Sequence, residues 1–237
     1  MEECAFVSDI FLIVTDETCV GLHVASNRYI AFRNSPVVDE FHKHAVQLSP
    51  VVLGRPVQQS LLETYGIVAT RAVIRDYRNL PDASGMLVDL WRDRFRLHME
   101  KYDGTSVNFH ANTAFEVYSS VARTSWLCAQ GKLKKLLFSA QRNVSPNPHV
   151  SLFGLEERLL DALWRISPYL PYRFDCLAYA SALTRLARAH GFPALLNIGI
   201  RPFPFEAHAW CSVGDKVIGD DQNLPFQLFT IYAGESV

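Results

Sequence analysis

The sequence predicts an α+β fold, with a strand-rich N-terminal segment ahead of a C-terminal region of helices and then an antiparallel sheet. Residues 1–35 contain short runs of β-branched and aromatic residues separated by turn residues. Residues 112–190 instead carry apolar residues three and four positions apart, as amphipathic helices do. Three further strand-like runs follow. Helices and strands that are segregated along a chain indicate an α+β rather than an alternating α/β architecture.

The N-terminal runs AFVSD, FLIVTD, CVGLHV and RYIAF predict a small antiparallel sheet. VVDEFHKHAVQL is compatible with a helix opened by Pro36, and SLLETYGIVATRAVI with a short helix or with a helix followed by a strand. The turn-rich stretch RNLPDASG, residues 78–85, then indicates a domain boundary. We therefore expect two domains, residues 1–85 and residues 86–237.

The central region predicts a series of helices. Residues 112–143 have helical spacing that is interrupted at Gly131, so two helices or one kinked helix are expected. The stretch SPNPH at 145–149 is read as a linker or a tight loop. A further amphipathic helix starts near residue 154 and ends near Ser167, because Pro168 follows.

The next helix is expected to run from about Cys176 to His190, within RFDCLAYASALTRLARAHG. Asp175 suits the N-cap, since its carboxylate can accept hydrogen bonds from N–H groups one turn on. Gly191 suits the C-terminal end. One apolar stripe is expected to be buried, made of Leu177, Ala180, Leu183, Leu186 and Ala187.

Composition excludes several classes of protein. The chain has 237 residues, 49% hydrophobic and 20% charged, which is typical of a globular protein and not of a disordered one. The formal net charge of −1 gives no reason to expect a nucleic-acid or membrane partner. The start MEECAFVSD is acidic, unlike a secretory signal, and the apolar run IFLIV is too short to span a bilayer.

The cysteines indicate a reduced, cytoplasmic protein. Their number is odd and their spacing irregular, at Cys4, Cys19, Cys128, Cys176 and Cys211. No CxxC or HExxH motif signals zinc, and no GxxxxGK[ST] motif signals a nucleotide. No cofactor or metal is therefore expected.

Cys176, His208 and Asp220 are the candidate catalytic residues. A thiol at a helix start gains from the free N–H groups and the helix dipole, which favour the thiolate. A cysteine nucleophile also needs an imidazole and a group that orients it. His208 lies in the strand AHAWCSV, and the acid follows in KVIGD, the next strand of a hairpin across Gly214 and Asp215.

The register of that hairpin decides which acid faces His208. A two-residue loop places His208 opposite Asp221, whereas a three-residue loop places it opposite Asp220. The three-residue register also pairs Trp210 with Ile218, an apolar match. It is therefore preferred, with Asp220 as the acid and Asp221 as the substitute.

Other features have simpler explanations. Most isolated cysteines are small buried hydrophobes, and Cys211 alternates to the strand face opposite His208, so core packing is expected for it. His42 and His44 could bind a metal but have no evident third ligand. The basic run GKLKKLL is read as a solvated helix face, with docking of an acidic partner as the alternative. RPFPFE is either an ordinary loop or part of a substrate cleft.

The stretch from Asp175 to Asp220 resembles the core of the lasso peptide maturation proteases. These are the transglutaminase-like, papain-like cysteine proteases, or B proteins, that are encoded with lasso peptides of the microcin type. The resemblance rests on a cysteine that opens a helix and on NIGI at 197–200, PFEAHAW at 204–210 and VIGD at 217–220. It is tight over residues 174–224 and loose from about residue 112. The triad of the family falls on Cys176, His208 and Asp220.

The resemblance implies removal of a leader peptide from a ribosomally made precursor, with threonine usually penultimate in the leader. An ATP-dependent cyclase similar to asparagine synthetase would then close the macrolactam on the freed amine, as a step of antibiotic biosynthesis. Longer family members carry an N-terminal leader-recognition domain, a winged-helix module resembling PqqD, which implies that role for residues 1–85. The backbone N–H of Cys176 would be one oxyanion donor.

Three function classes stay open. The first is a leader peptidase. The second is an acyltransferase of the transglutaminase or arylamine acyltransferase kind, which would use the same three residues and differ only in its acceptor. The third is a module that binds the precursor peptide without cutting it.

Overall fold

The computed structural model describes residues 10–15, 18–32, 38–39, 41, 51–76, 111–140, 152–166, 169–170, 175–202 and 205–234. The strands are β1 Ile10–Val14, β2 Cys19–His23, β3 Arg28–Phe32, β4 Val51–Val52, β5 Arg71–Asp76, β6 Ala194–Arg201, β7 Glu206–Val213, β8 Lys216–Ile218 and β9 Phe229–Ala233. The helices are α1 Arg55–Tyr65, α2 Ala111–Ala129, α3 Leu133–Ala140, α4 Leu152–Ile166, α5 Cys176–Ala189 and α6 Leu224–Gln227.

The N-terminal sheet has the strand order β3-β2-β1-β5-β4. β2 pairs antiparallel with both β1 and β3, as predicted, whereas β5 pairs with β1 in parallel. The antiparallel sheet predicted for residues 1–35 is therefore confirmed, and the complete five-stranded sheet is mixed. The stretch SLLETYGIVATRAVI forms a helix followed by a strand, which confirms the second of the two alternatives predicted for it. Because the chain returns through α1, β5 enters the sheet in the same direction as β1.

Several N-terminal predictions concern residues that lie wholly or mostly outside the described ranges. The strand AFVSD and the turn-rich boundary at 78–85 lie outside the described residues. Of the helix predicted after Pro36, only residues 38–39 and 41 are described, and these are helical.

The C-terminal region is built as predicted, from helices and then an antiparallel sheet of order β8-β7-β6-β9. The break between the helices α2 and α3 falls at Gly131, whose φ of 62° lies in the left-handed region. Linker residues 145–149 lie outside the described residues. Three apolar residues of the α2 and α3 pattern are exposed, namely Phe115, Trp126 and Phe138.

Four of the five residues in the stripe predicted for helix α5 are buried, but the burial extends to the other face of the helix as well. Ten of its 14 residues are buried. Ala180 belongs to a core shared with the C-terminal sheet, whereas Leu183 and Leu186 belong to a core shared with α2 and α4. Small residues such as Ser181 and Ala182 explain this placement, because they allow neighbouring elements to approach closely.

The N-terminal sheet lies between two cores. One face, with Leu12 and Phe32, packs with α1, for example on Leu61. The opposite face, with Phe11 and Leu22, shares a core with α3 and the C-terminal sheet. The ring of Phe11 meets the ring of Tyr232 on β9 edge to face, with centroids 5.2 Å apart. The two sheets are thus parts of one packed molecule.

Candidate active site

Cys176 is the first residue of α5, as predicted. Asp175 caps the helix, because its Oδ1 accepts a hydrogen bond of 2.9 Å from the N–H of Ala178. Such a cap contributes about 1 kcal/mol to the stability of a helix. The first N–H groups of a helix have no partner within it, so the thiol stands beside backbone donors. Cys176 is partly exposed, which leaves its thiol accessible.

His208 is the third residue of β7 and pairs with Gly199 on β6. A Cβ on Gly199 would lie 2.8 Å from the Leu228 Cβ and 2.8 Å from the ring of Trp210. Real Cβ atoms do not come so close to other atoms, so only glycine fits opposite His208. The glycine of the NIGI motif therefore serves the packing beside the histidine.

His208 contacts Asp220, although the register that led to this choice was wrong. Val213 pairs with Lys216, which is the two-residue loop. In that register a continued ladder would bring Asp221 opposite His208. The ladder ends at Ile218 instead, and Gly219 turns the chain with a φ of 68°. The turn brings Asp220 Oδ2 within 2.7 Å of His208 Nε2.

The turn that carries Asp220 is tied to its surroundings at Gly219. The Tyr179 hydroxyl of α5 donates to the Gly219 carbonyl at 3.1 Å, and the Gly219 N–H donates to Glu156 Oε1 at 3.1 Å. Lys216 Nζ donates to Glu156 Oε2 at 2.6 Å. Tyr179 lies one turn after Cys176, so the helix that carries the thiol also holds the acid.

Sequence reasoning missed these supporting residues. Tyr179 could have been noticed as the residue three positions after Cys176, on the same side of the helix. Glu156 lies 63 residues before Gly219, and nothing in the sequence signals that contact.

The electrostatics of the site favour an ion pair. Burial lowers the pKa of His208, but hydrogen bonds with Asp220 and Cys176, and the charges of these two groups, outweigh it and raise the pKa to about 9. Since Nε2 faces Asp220, Nδ1 is the nitrogen left for the thiol. The imidazole can therefore stay protonated at neutral pH.

The other candidate residues have different surroundings. Cys211 is buried in the core, as predicted, and burial raises the pKa of its thiol to about 12. Cys19 is buried, Cys128 is half-buried, and Cys4, His42 and His44 lie outside the described residues.

The two sequence stretches that had alternative readings are partly described. In the run GKLKKLL the leucines are buried, while Lys134 and Lys135 are exposed. Of RPFPFE, Arg201 and Glu206 form an ion pair at 3.4 Å and Phe205 is half-exposed.

Neither a metal cluster nor a membrane-spanning segment is found among the described residues. No group of three or more histidine, cysteine or acidic side chains is placed there to hold a metal ion. Within the same ranges, every helix is too short or too polar to cross a bilayer.

Comparison with known proteins identifies relatives of the region that holds the site. Residues 113–231, which include Cys176, His208 and Asp220, match the model of the transglutaminase-like superfamily. A stretch of 60 residues is 40% identical to the microcin J25-processing protein McjB of Escherichia coli. That stretch is 25% of this chain and 29% of McjB, so the match spans less than a third of the relative. No solved structure matches the chain.

These matches confirm the resemblance to a microcin-processing protein that the sequence predicted. The McjB match is short, whereas the superfamily match covers half of the chain and all three residues of the site. On that ground the chain belongs to the transglutaminase-like superfamily.

Proposed function

We propose that this protein is a cysteine peptidase that removes the leader peptide from a ribosomally made lasso peptide precursor. One observation carries the proposal: His208 Nε2 lies 2.7 Å from Asp220 Oδ2, and the pKa of this histidine is raised by both that aspartate and the helix-start Cys176. This is the arrangement that nucleophilic catalysis needs, with a thiol, a base and a group that orients the base. Similarity to a microcin J25-processing protein supports the choice of substrate.

In the first half of the reaction, the Cys176 thiolate attacks the carbonyl carbon at the junction of leader and core. The backbone N–H of Cys176 donates to the developing oxyanion. Protonated His208 gives its proton to the departing core amine, and the leader remains bound as a thioester. Asp220 accepts from the Nε2–H of His208 throughout, which fixes the tautomer and keeps Nδ1 directed at sulfur.

In the second half, His208 takes a proton from a water molecule that attacks the thioester. The C–S bond breaks, the leader leaves with a new carboxylate, and the proton returns to the Cys176–His208 pair. The released core carries a free α-amine, which an ATP-dependent cyclase of the asparagine synthetase kind would join to a side-chain carboxylate. We place these steps in the cytoplasm, where thiols stay reduced.

Residues 1–85 are proposed to recognise the leader as a PqqD-like domain. Among the strands that the structure describes, β3 lies at an edge of the N-terminal sheet, so the leader can add to it as a further strand. Hydrogen exchange on the full chain tests this role. Backbone amides of residues 28–32 should gain protection when a leader peptide is added, and unchanged exchange there would contradict it.

Cleavage in isotopically labelled water tests the reaction itself. The DNA around the gene is first searched for a short lasso peptide precursor. The full chain is then incubated with that peptide in H2-18O, and the products are weighed by mass spectrometry. A peptidase gives a core with a free amine and a leader with one atom of 18O in its new carboxylate.

The same assay separates the two alternatives. Membership of the transglutaminase-like superfamily favours acyl transfer as the second candidate. Acyl transfer would join the leader to an added amine and leave it without 18O. A module that only binds the precursor would leave the peptide intact, and either result would overturn the peptidase proposal.

A further inference from the structure

Tyr29 extends from the N-terminal sheet toward the C-terminal region. Along β3, Ile30 and Phe32 face the core beside α1, so Tyr29 lies on the opposite face of the strand. There its ring meets the ring of Phe205 edge to face, with centroids 5.2 Å apart and an angle of 62°. Tyr29 and Phe205, called here the aromatic wall, thus come from different sheets.

The aromatic wall lies beside the candidate catalytic residues. Phe205 directly precedes β7 and stands three residues before His208. From the other side, burial raises the pKa of Tyr29, and the charge of the Cys176 thiolate adds to the increase. The contacts agree with this placement, because Tyr29 pairs with Leu22 on β2, and Leu22 belongs to the core against which Leu177, the residue after Cys176, packs. The aromatic wall therefore lies near the start of α5, which carries the thiol.

The aromatic wall is apolar and accessible. Tyr29 is 36% exposed and Phe205 is 50% exposed, although each ring already packs on the other. The charge next to Phe205 is directed elsewhere, since Glu206 Oε2 lies 3.4 Å from Arg201 Nη1. Exposed aromatic surface beside a reactive thiol is suited to an apolar or β-branched side chain.

We propose that Tyr29 and Phe205 select the peptide side chain next to the scissile bond. A peptide whose carbonyl reaches the Cys176 sulfur must pass along the aromatic wall, and a large apolar side chain there covers both rings. The inference rests on the proposed peptidase function and adds a preference for large apolar side chains next to the scissile bond. It makes the N-terminal sheet part of the cleft, in addition to any role in holding the leader.

Cleavage profiling of the full chain tests this inference. The substrates are variants of the precursor encoded beside the gene, with glycine, alanine, valine or leucine at each of two positions on either side of the cut. Tyr29→Ala and Phe205→Ala should each reduce the preference for large apolar residues at one position by about tenfold. Tyr29→Phe should keep the wild-type preference, because the ring is retained.

A matched control and a second readout separate specificity from loss of fold. Phe115→Ala removes an aromatic ring that is 73% exposed near the far end of α5, where Glu116 lies 3.9 Å from His190. This variant should cleave like the wild type. Circular dichroism should show the wild-type spectrum for all four variants, since each change falls on a ring that is at least 36% exposed.

Two results would overturn the inference while leaving the proposed function intact. The first is an unchanged preference in Tyr29→Ala and Phe205→Ala. The second is an equal change in Tyr29→Phe and Tyr29→Ala, which would assign the effect to the hydroxyl and not to the wall. Failure of the wild type to cut any precursor variant would overturn the proposed function, and the inference with it.

Discussion

Each oxygen of the Asp220 carboxylate accepts a hydrogen bond. Oδ2 accepts from His208 Nε2 at 2.7 Å, while Oδ1 accepts from the backbone N–H of Asp221 at 2.8 Å. The carboxylate is nearly buried, with 6% of its side chain exposed. Asp221 instead turns toward its own loop and accepts from the N–H of Asn223 at 2.9 Å. The two adjacent acids therefore have different tasks.

Asparagine substitutions distinguish these tasks. Asp220→Asn should slow cleavage much more than Asp221→Asn, since only Asp220 orients His208. The loss should be smaller than the roughly 10^4-fold seen in a serine triad, because a thiolate–imidazolium pair depends less on its third member. A single-turnover assay at matched protein concentrations measures both rates, and circular dichroism should show both variants folded. Equal losses would contradict the assignment.

His208 should titrate far above an ordinary histidine. Its pKa is raised from 6.5 to about 9 by Asp220 and Cys176 against the effect of burial. The stabilisation that comes from the charged imidazole is thus fully present below pH 6.5 and is lost as the pH rises through about 9. Cleavage should fall over the same upper range, as the ion pair loses its proton.

NMR titration of the His208 ring protons checks this pKa. Asp220→Asn and Cys176→Ala should each lower the value, because each removes a hydrogen bond and a charge that favour the imidazolium. Asp221→Asn is the control and should leave the midpoint near the wild-type value. A midpoint near 6.5 in the wild type would show that the three side chains are not coupled.

At the scale of elements, the turn after β8 decides the geometry of the site. Gly219 has a φ of 68°, which a side chain adopts only at a cost of about 1–3 kcal/mol. A Cβ there would also lie 2.5 Å from the Tyr179 hydroxyl and 2.6 Å from Leu160 Cδ2. An added Cβ would therefore collide with the hydroxyl group that donates to the Gly219 carbonyl. The turn is therefore fitted closely between α4 and α5.

Gly219→Ala should both destabilise the protein and slow cleavage, because the turn must move and carry Asp220 with it. Gly214→Ala is a matched control: its φ is 57°, but nothing lies within 4 Å of the added Cβ. It should cost only the backbone strain and leave the cleavage rate nearly unchanged. Urea denaturation and single-turnover cleavage measure the two effects. Similar cleavage rates for both variants would mean that the turn does not position the acid.

Much of this arrangement could be predicted from local sequence signals. Asp175 capping α5, the end of α5 at Gly191 and the strand assignments of β6 to β8 follow from residue type and spacing. The hairpin register could not, because apolar matches across the strands favoured one loop length while the tight turn at Gly214 has the other. The contact of Asp220 with His208 depends on Gly219, whose conformation a strand pattern does not reveal.

At the scale of the molecule, the N-terminal sheet and the C-terminal sheet are coupled through one core. The domain boundary predicted at residue 85 lies outside the described residues. Local patterns could not predict that the second face of the N-terminal sheet is covered by α3 and β9. The contact of Tyr29 with Phe205 was equally invisible, since the two residues are far apart in the chain.

Phe11→Ala tests this coupling. The ring is 8% exposed and meets Tyr232, so its loss should cost about 3–5 kcal/mol in the free energy of unfolding. Far-ultraviolet circular dichroism and tryptophan fluorescence should report one shared, shifted transition. Phe115→Ala, at an exposed position, should change stability little. Two separate transitions in the wild type would show that the two sheets unfold independently.

Replacement of Cys176 is the most direct test of the proposed peptidase. The full-length Cys176→Ala variant is incubated with the precursor encoded beside the gene, next to the wild type and to Cys128→Ala, a control at a half-buried cysteine. Mass spectrometry should show cleaved precursor for the wild type and the control and intact precursor for Cys176→Ala. Calorimetric titration should show that Cys176→Ala still binds the leader. Undiminished cleavage by Cys176→Ala would contradict the assignment of Cys176 as the nucleophile.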